Sequence, residues 1–206
     1  MKEFLIENWK REAQYNFFKD FDDPIFGATS NVICTDLYQE VLKKNESFFI
    51  HYIHKALQAM NEINEFRLRI FNEKVIEFQN INGTTTVFKE DKTFNFCYFN
   101  YYEDFDHFYD STQNSIDKAK NNSQLESKDD LNLIYVSVIP WRTFSNIKHP
   151  RMFSKIDSIP KIVFGKVFEQ NGQFLMPVSV EAHHALLDGY HLSCFFNRFE
   201  ELMKVI

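Results

Sequence analysis

The sequence predicts an α+β fold in which a mixed β-sheet packs against helices in two layers. Three observations carry this. Strand-like and helix-like segments mix without strict alternation, which argues against a doubly wound parallel sheet. The run at 131–139, LNLIYVSVI, is apolar enough for a buried central strand. Asn82-Gly83 and Asn171-Gly172 each lie between strand-like segments, a strong short-range hairpin signal.

The elements follow in order. Residues 7–19 read as a helix with Trp9, Ala13, Phe17 and Phe18 on one face, broken by Asp22-Asp23-Pro24. Residues 26–35 are rich in β-branched side chains and read as a strand. Two helices follow at 36–44 and 46–61, the second with Phe49, Ile53, Leu57 and Met60 at helical spacing. Short strands are expected at 68–70, 75–78 and 84–88, with Asn82-Gly83 turning the last two into a hairpin. A helix at 103–120 and the strand at 131–139 come next. Strands at 161–168 and 174–182 flank Asn171-Gly172, and an amphipathic helix at 191–204 closes the chain.

Composition narrows the function classes. With 44% hydrophobic and 25% charged residues, the 206-residue chain has ordinary globular usage. Only 5 Gly and 5 Pro exclude a collagen-like or low-complexity chain. The 24 Phe imply an aromatic core or an apolar cleft lined by rings. The polar stretch at 121–130, NNSQLESKDD, is too short to divide the chain, so residues 1–206 are read as a single domain. A net charge of −6, with acids and bases interspersed, disfavours nucleic acid as a partner. No apolar run approaches the ~18 residues of a membrane span. The N-terminal MKEFLIENWKRE lacks the apolar stretch of a signal peptide. Cys34, Cys97 and Cys194 are an odd count with no CxxC, as expected of reduced thiols in a cytoplasmic protein.

One segment carries chemistry: His183-His184-Ala185-Leu186-Leu187-Asp188-Gly189, in a strand-to-helix loop. A histidine of near-neutral pKa can take a proton from a hydroxyl, provided it is held in one orientation. Asp188 can touch it or organise the loop behind it. A buried polar network is the plainer alternative. A metal site needs three or four converging ligands, and no further cluster accompanies the pair, so no metal is expected.

HHALLDGYH resembles the active-site signature of the type A chloramphenicol acetyltransferases, within the CoA-dependent acyltransferases that share HHxxxDG. Other segments are similar to the same family. They are Asn8-Trp9-Lys10-Arg11-Glu12 with Phe17-Phe18, Asn61 to Arg67 as NxxxEFR, Ser137 with Pro140-Trp141 as SxxPW, and Phe174-Leu175-Met176-Pro177. The resemblance implies a homotrimer with active sites between subunits, acetyl-CoA as co-substrate and an alcohol, best guessed as chloramphenicol, as acceptor. It makes His184 the general base and Ser137 the hydroxyl that stabilises the oxyanion. Arg11 and Asp188 become the ion pair that supports the loop, and His183 a structural residue. Phe17, Phe18 and Phe26 fall at the acceptor pocket, and Trp141 where CoA is contacted.

The chain departs from the family pattern around the acceptor. Tyr135 stands where a small polar residue is usual, His149 where an apolar pocket residue is usual, and Val163 in place of a Thr near the oxyanion. Phe18 replaces a common Tyr. A different alcohol acceptor is therefore the second reading. A third is a catalytically silent relative used for binding or assembly, against which His184, Ser137, Asp188 and Arg11 all stand.

Overall fold

The computed structural model describes residues 1–7, 9–152 and 156–204. The elements, in order, are β1 (Lys2–Phe4), α1 (Glu12–Phe18), β2 (Ile25–Ile33), α2 (Thr35–Lys44), α3 (Phe48–Asn61), β3 (Leu68–Phe71), β4 (Lys74–Glu77), β5 (Asn82–Phe88) and β6 (Phe94–Phe99). Then follow α4 (Phe105–Asn121), β7 (Leu133–Ile139), β8 (Lys161–Gly165), β9 (Phe168–Gln170), β10 (Gln173–His183) and α5 (Gly189–Lys204). A seven-stranded sheet runs β2-β10-β8-β7-β5-β6, with β9 pairing β10 alongside, and a three-stranded sheet runs β1-β4-β3. β5, β7 and β8 are parallel neighbours and the other pairs are antiparallel, so the sheet is mixed.

Strand periodicity divides the large sheet into two faces. Val136, Ile162 and Val180 share a register row, as do Val138, Phe164 and Val178. This face meets the helices: the Phe164 ring lies 4.6 Å from that of Tyr52 on α3 and 6.0 Å from that of Phe199 on α5. The opposite face carries Tyr135, Lys161 and Glu181 in one row and Ser137, Val163 and Ser179 in the next. The segment after β7 folds over part of it, bringing the Phe144 ring against Gly165.

Helix ends follow local chemistry. Ser47 caps α3 by accepting from the Ile50 amide, and Asp104 caps α4 by accepting from the His107 amide at 2.8 Å. The first helix is shorter than its apolar spacing suggests. It begins at Glu12, because the Trp9 and Glu12 amides close turns onto the Ile6 and Trp9 carbonyls. Asn8, part of the family-like opening segment, lies outside the described residues.

Hairpins are where the sequence reading erred. Asn171-Gly172 forms the expected two-residue turn, with φ of 53° and 77°. Asn82-Gly83 does not, since β4 and β5 belong to different sheets. Its glycine answers a close approach instead: a Cβ on Gly83 would sit 2.3 Å from the Phe99 ring on β6. The true turn between β3 and β4 is Asn72-Glu73, at φ 48° and 63°, and contains no glycine to announce it. The strand at 94–99 went unrecognised, and the strand expected at 161–168 divides into β8 and β9.

Arg69 ties the two sheets together. It has no exposed surface, and its fork donates to four carbonyls: Leu131 at 2.9 Å, Phe66 at 2.7 Å, Leu68 at 2.6 Å and Leu133 at 2.7 Å. Burial pushes the guanidinium down to about 9.

Candidate active site

His184 lies one residue beyond β10, its amide donating to the Pro24 carbonyl at 2.8 Å. The chain then turns sharply: the Leu186 and Leu187 amides both donate to the His183 carbonyl, at 3.0 and 3.1 Å. Ala185, Leu186 and Leu187 are fully buried, so the three apolar letters of the motif anchor the loop in the core. The His184 imidazole stacks on Phe18 from α1, with ring centres 4.0 Å apart and planes 4° apart. It also stacks on Phe26 from β2, at 4.3 Å and 29°. Its Nδ1 is buried with no hydrogen-bond partner among the described residues, which leaves Nε2 as the nitrogen that can face an acceptor. Among the described ion pairs none involves His184, so no carboxylate steadies this ring as in a Ser-His-Asp triad.

Asp188 organises the loop instead. It pairs with Arg11, whose other nitrogen reaches the His184 carbonyl at 3.4 Å, and its second oxygen meets His191 Nδ1 at 2.8 Å. Burial alone would raise the Asp188 carboxyl, and the Arg11 guanidinium together with His191 more than reverses this, holding it below the usual carboxylate range. His191 Nε2 in turn lies 3.7 Å from Glu65. His191 and Glu65 were not chosen as site residues from the sequence. The signal for them was present, in the His that ends HHALLDGYH and in the Glu of the NxxxEFR segment.

His183 sits beneath, 2% exposed, its Nδ1 accepting from the Ala185 amide. Burial pushes its imidazole down to about 4. A base depressed in the folded state favours folding above its unfolded pKa of ~6.5, and that contribution is lost as pH falls through the folded value. The melting temperature is therefore expected to fall between pH 6.5 and 4, and to fall less steeply in His183→Asn, as read by thermal denaturation across that range.

Ser137 lies elsewhere on the chain. It is level with Val163 on β8 and Ser179 on β10, on the sheet face away from the helices. Two strand spacings of ~4.8 Å and five residues at ~3.3 Å each put its Cα roughly 19 Å from that of His184. The side chains cannot span that gap, so one chain does not bring the two residues together. Tyr135 is half-buried one row away, and Val163 is fully buried beside Ser137. His149 reaches the same face, with Nδ1 2.7 Å from Glu181. Phe17 is 64% exposed and edge-on to Phe18. Trp141 is 63% exposed and edge-on to Phe88, so it stands outside the core. Close to it, a cleft of ≈ 520 Å³ is lined by Tyr38, Phe49, Tyr52, Val138, Pro140 and Lys166 among others. Among the described residues no three His, Cys, Asp or Glu side chains converge as a metal site requires.

The sequence model of the chloramphenicol acetyltransferase family matches residues 2–200. The chain belongs to this family. A chloramphenicol acetyltransferase from Clostridium perfringens is 31% identical over 205 residues, covering 96% of this chain and 92% of its own. A solved chloramphenicol acetyltransferase superposes with a TM-score of 0.93 at 32% identity, covering 98% of this chain and 99% of that one. A probable dihydrolipoamide acetyltransferase from Listeria monocytogenes, at TM-score 0.66 and 18% identity over 99% of this chain and 94% of its own, shares the fold alone. The near-complete coverage of the chloramphenicol acetyltransferases leaves the mixed sheet and its flanking helices common to both sides of the comparison.

Proposed function

We propose that the protein is an acetyl-CoA-dependent O-acetyltransferase of the cytoplasm, with chloramphenicol as acceptor and His184 as general base. The observation that carries this is the placement of His184: stacked on Phe18 and Phe26, enclosed at Nδ1, in a loop braced by Arg11 and Asp188. Nε2 takes the proton of the acceptor hydroxyl as its oxygen attacks the thioester carbonyl. The tetrahedral intermediate places its oxyanion at the Ser137 hydroxyl, which donates to it. Collapse expels the CoA thiolate, which takes the proton back from the imidazolium, leaving the acetyl ester.

The roughly 19 Å between Ser137 and His184 supports a site shared by two copies, one supplying each residue, as in a homotrimer. In that arrangement Phe17, Phe18 and Phe26 accompany His184, while Tyr135, His149 and Val163 line the acceptor pocket beside Ser137. Trp141 follows Pro140, which lines the apolar cleft with Lys166; the cleft suits the pantetheine arm of CoA, and the Lys166 ammonium its phosphates.

The test is thiol release from acetyl-CoA in the presence of chloramphenicol. Brisk release supports the reading, and none from folded, oligomeric protein overturns chloramphenicol as acceptor. Ser137→Ala is expected to lower kcat by roughly 10²–10³-fold while leaving the melting temperature close to wild type. A second reading, acetyl transfer to a different alcohol, is favoured by one observation: a charged and polar cluster around Glu181 stands on the Ser137 face.

A further inference from the structure

The loop that carries His184 has two anchors of unequal strength. One is Arg11, which pairs with Asp188 and reaches the His184 carbonyl. Arg11 stands at the start of α1, a seven-residue helix whose buried side chain is Tyr15. The same helix exposes Phe17, so few buried apolar groups fasten it to the rest of the molecule. A loop braced on α1 alone moves whenever α1 does.

The second anchor reaches the core. Asp188 stands just ahead of α5, its Oδ1 accepting from the Tyr190 amide at 2.9 Å and facing His191 Nδ1 at 2.8 Å. His191 is mostly enclosed, and its Nε2 lies 3.7 Å from Glu65 Oε1. Each ring nitrogen therefore faces a carboxylate, one from the loop and one from a distant part of the chain. The His191 ring holds the Glu65 carboxyl below its usual range, against the raising effect of burial. Glu65 belongs to the short 3-10 turn Asn64–Arg67. That turn is fixed from inside, because Phe66 has no exposed surface and its ring lies 5.9 Å from that of Phe195 on α5. A path of polar contacts thus runs from the core through Glu65, His191 and Asp188 to the loop behind His184.

We propose that Glu65, acting through His191, is a positioning residue for His184: the pair holds Asp188, and with it the loop, in register with the core when α1 shifts. The inference rests on the O-acetyltransferase reading above and assigns neither residue a contact with acceptor or CoA. Neither exchanges a proton in the transfer. Their loss leaves the imidazole present but less often in line with the acceptor hydroxyl, so the cost falls on kcat and spares KM.

The test is thiol release from acetyl-CoA with chloramphenicol, or with an alcohol found from a panel if chloramphenicol is not turned over. It compares wild type, Glu65→Ala, His191→Ala and the double variant, with a melting curve for each. Either single substitution is expected to lower kcat by roughly tenfold and to leave both KM values within about twofold of wild type. The two act in series, so the double variant should fall no more than about twofold below the slower single. Glu65→Gln keeps an oxygen facing Nε2 and should recover part of the rate; it replaces Glu65→Ala in every comparison if that variant does not fold. The deciding comparison places Glu65→Ala in His184→Ala. With no imidazole left to position, the residual rate should change by less than about twofold. A general structural lesion would lower the rate by the same factor in both backgrounds, and that result overturns the proposal. So does a kcat within about twofold of wild type in both single variants. No thiol release by wild type with any alcohol of the panel overturns the O-acetyltransferase reading and takes this proposal with it.

Discussion

His184→Ala is expected to reduce acetyl transfer by roughly 10²–10⁴-fold, the usual contribution of a positioned general base. Without the imidazole, the acceptor hydroxyl attacks with its proton still attached, and the nearest ionisable groups are already engaged. Asp188 is committed to Arg11 and His191, and His183 faces the Ala185 amide with its proton affinity depressed by burial. The fold should survive, because the loop is anchored by Ala185, Leu186 and Leu187 and by backbone bonds to Pro24 and His183. The substitution also leaves an imidazole-sized gap between Phe18 and Phe26, so added free imidazole is expected to restore part of the rate. Thiol release measured beside a melting curve separates the cases. A variant that keeps more than about a tenth of the wild-type rate would place the base elsewhere.

The second large effect is on stability. Arg69→Ala is expected to destabilise the protein by roughly 3–5 kcal/mol, as when one partner of a buried polar arrangement is removed. Loss of the guanidinium relieves its own desolvation, but it strips a charged donor from the Phe66, Leu68, Leu131 and Leu133 carbonyls and leaves a cavity at a fully buried site. The melting temperature should fall on the order of 10 °C for a chain of this size. Arg69→Lys keeps the charge but not the planar fork, so an intermediate loss is expected. An unchanged melting temperature in Arg69→Ala would show that water or backbone adjustment satisfies those carbonyls.

The sequence was most informative where one residue answers one demand. The apolar run around Ser137 became an interior strand, and the Asn171-Gly172 turn formed as its residues prescribe. It was least informative where a residue serves a distant neighbour. Gly83 makes room for Phe99, sixteen residues on, and so imitated a turn. Asn72-Glu73 adopts positive φ because the pairing of β3 with β4 requires it, with no glycine to show this beforehand. The same contrast holds at the site. The family resemblance implied that Arg11 would pair with Asp188, and the two residues do meet. The unpaired Nε2 of His149 was not legible, since it depends on Glu181 and Arg151 meeting across a fold-over that no local pattern encodes.

The separation of Ser137 from His184 along the sheet has a genetic consequence. On the two-chain reading, the unit that works is a joint between copies, and each chain contributes half of two different joints. Chains lacking His184 and chains lacking Ser137, inert apart, should complement one another when assembled together, because some joints then receive an intact residue from each side. The converse also holds: a defective copy that still assembles silences a share of the joints made by healthy ones, so such alleles act dominantly in a cell that expresses both.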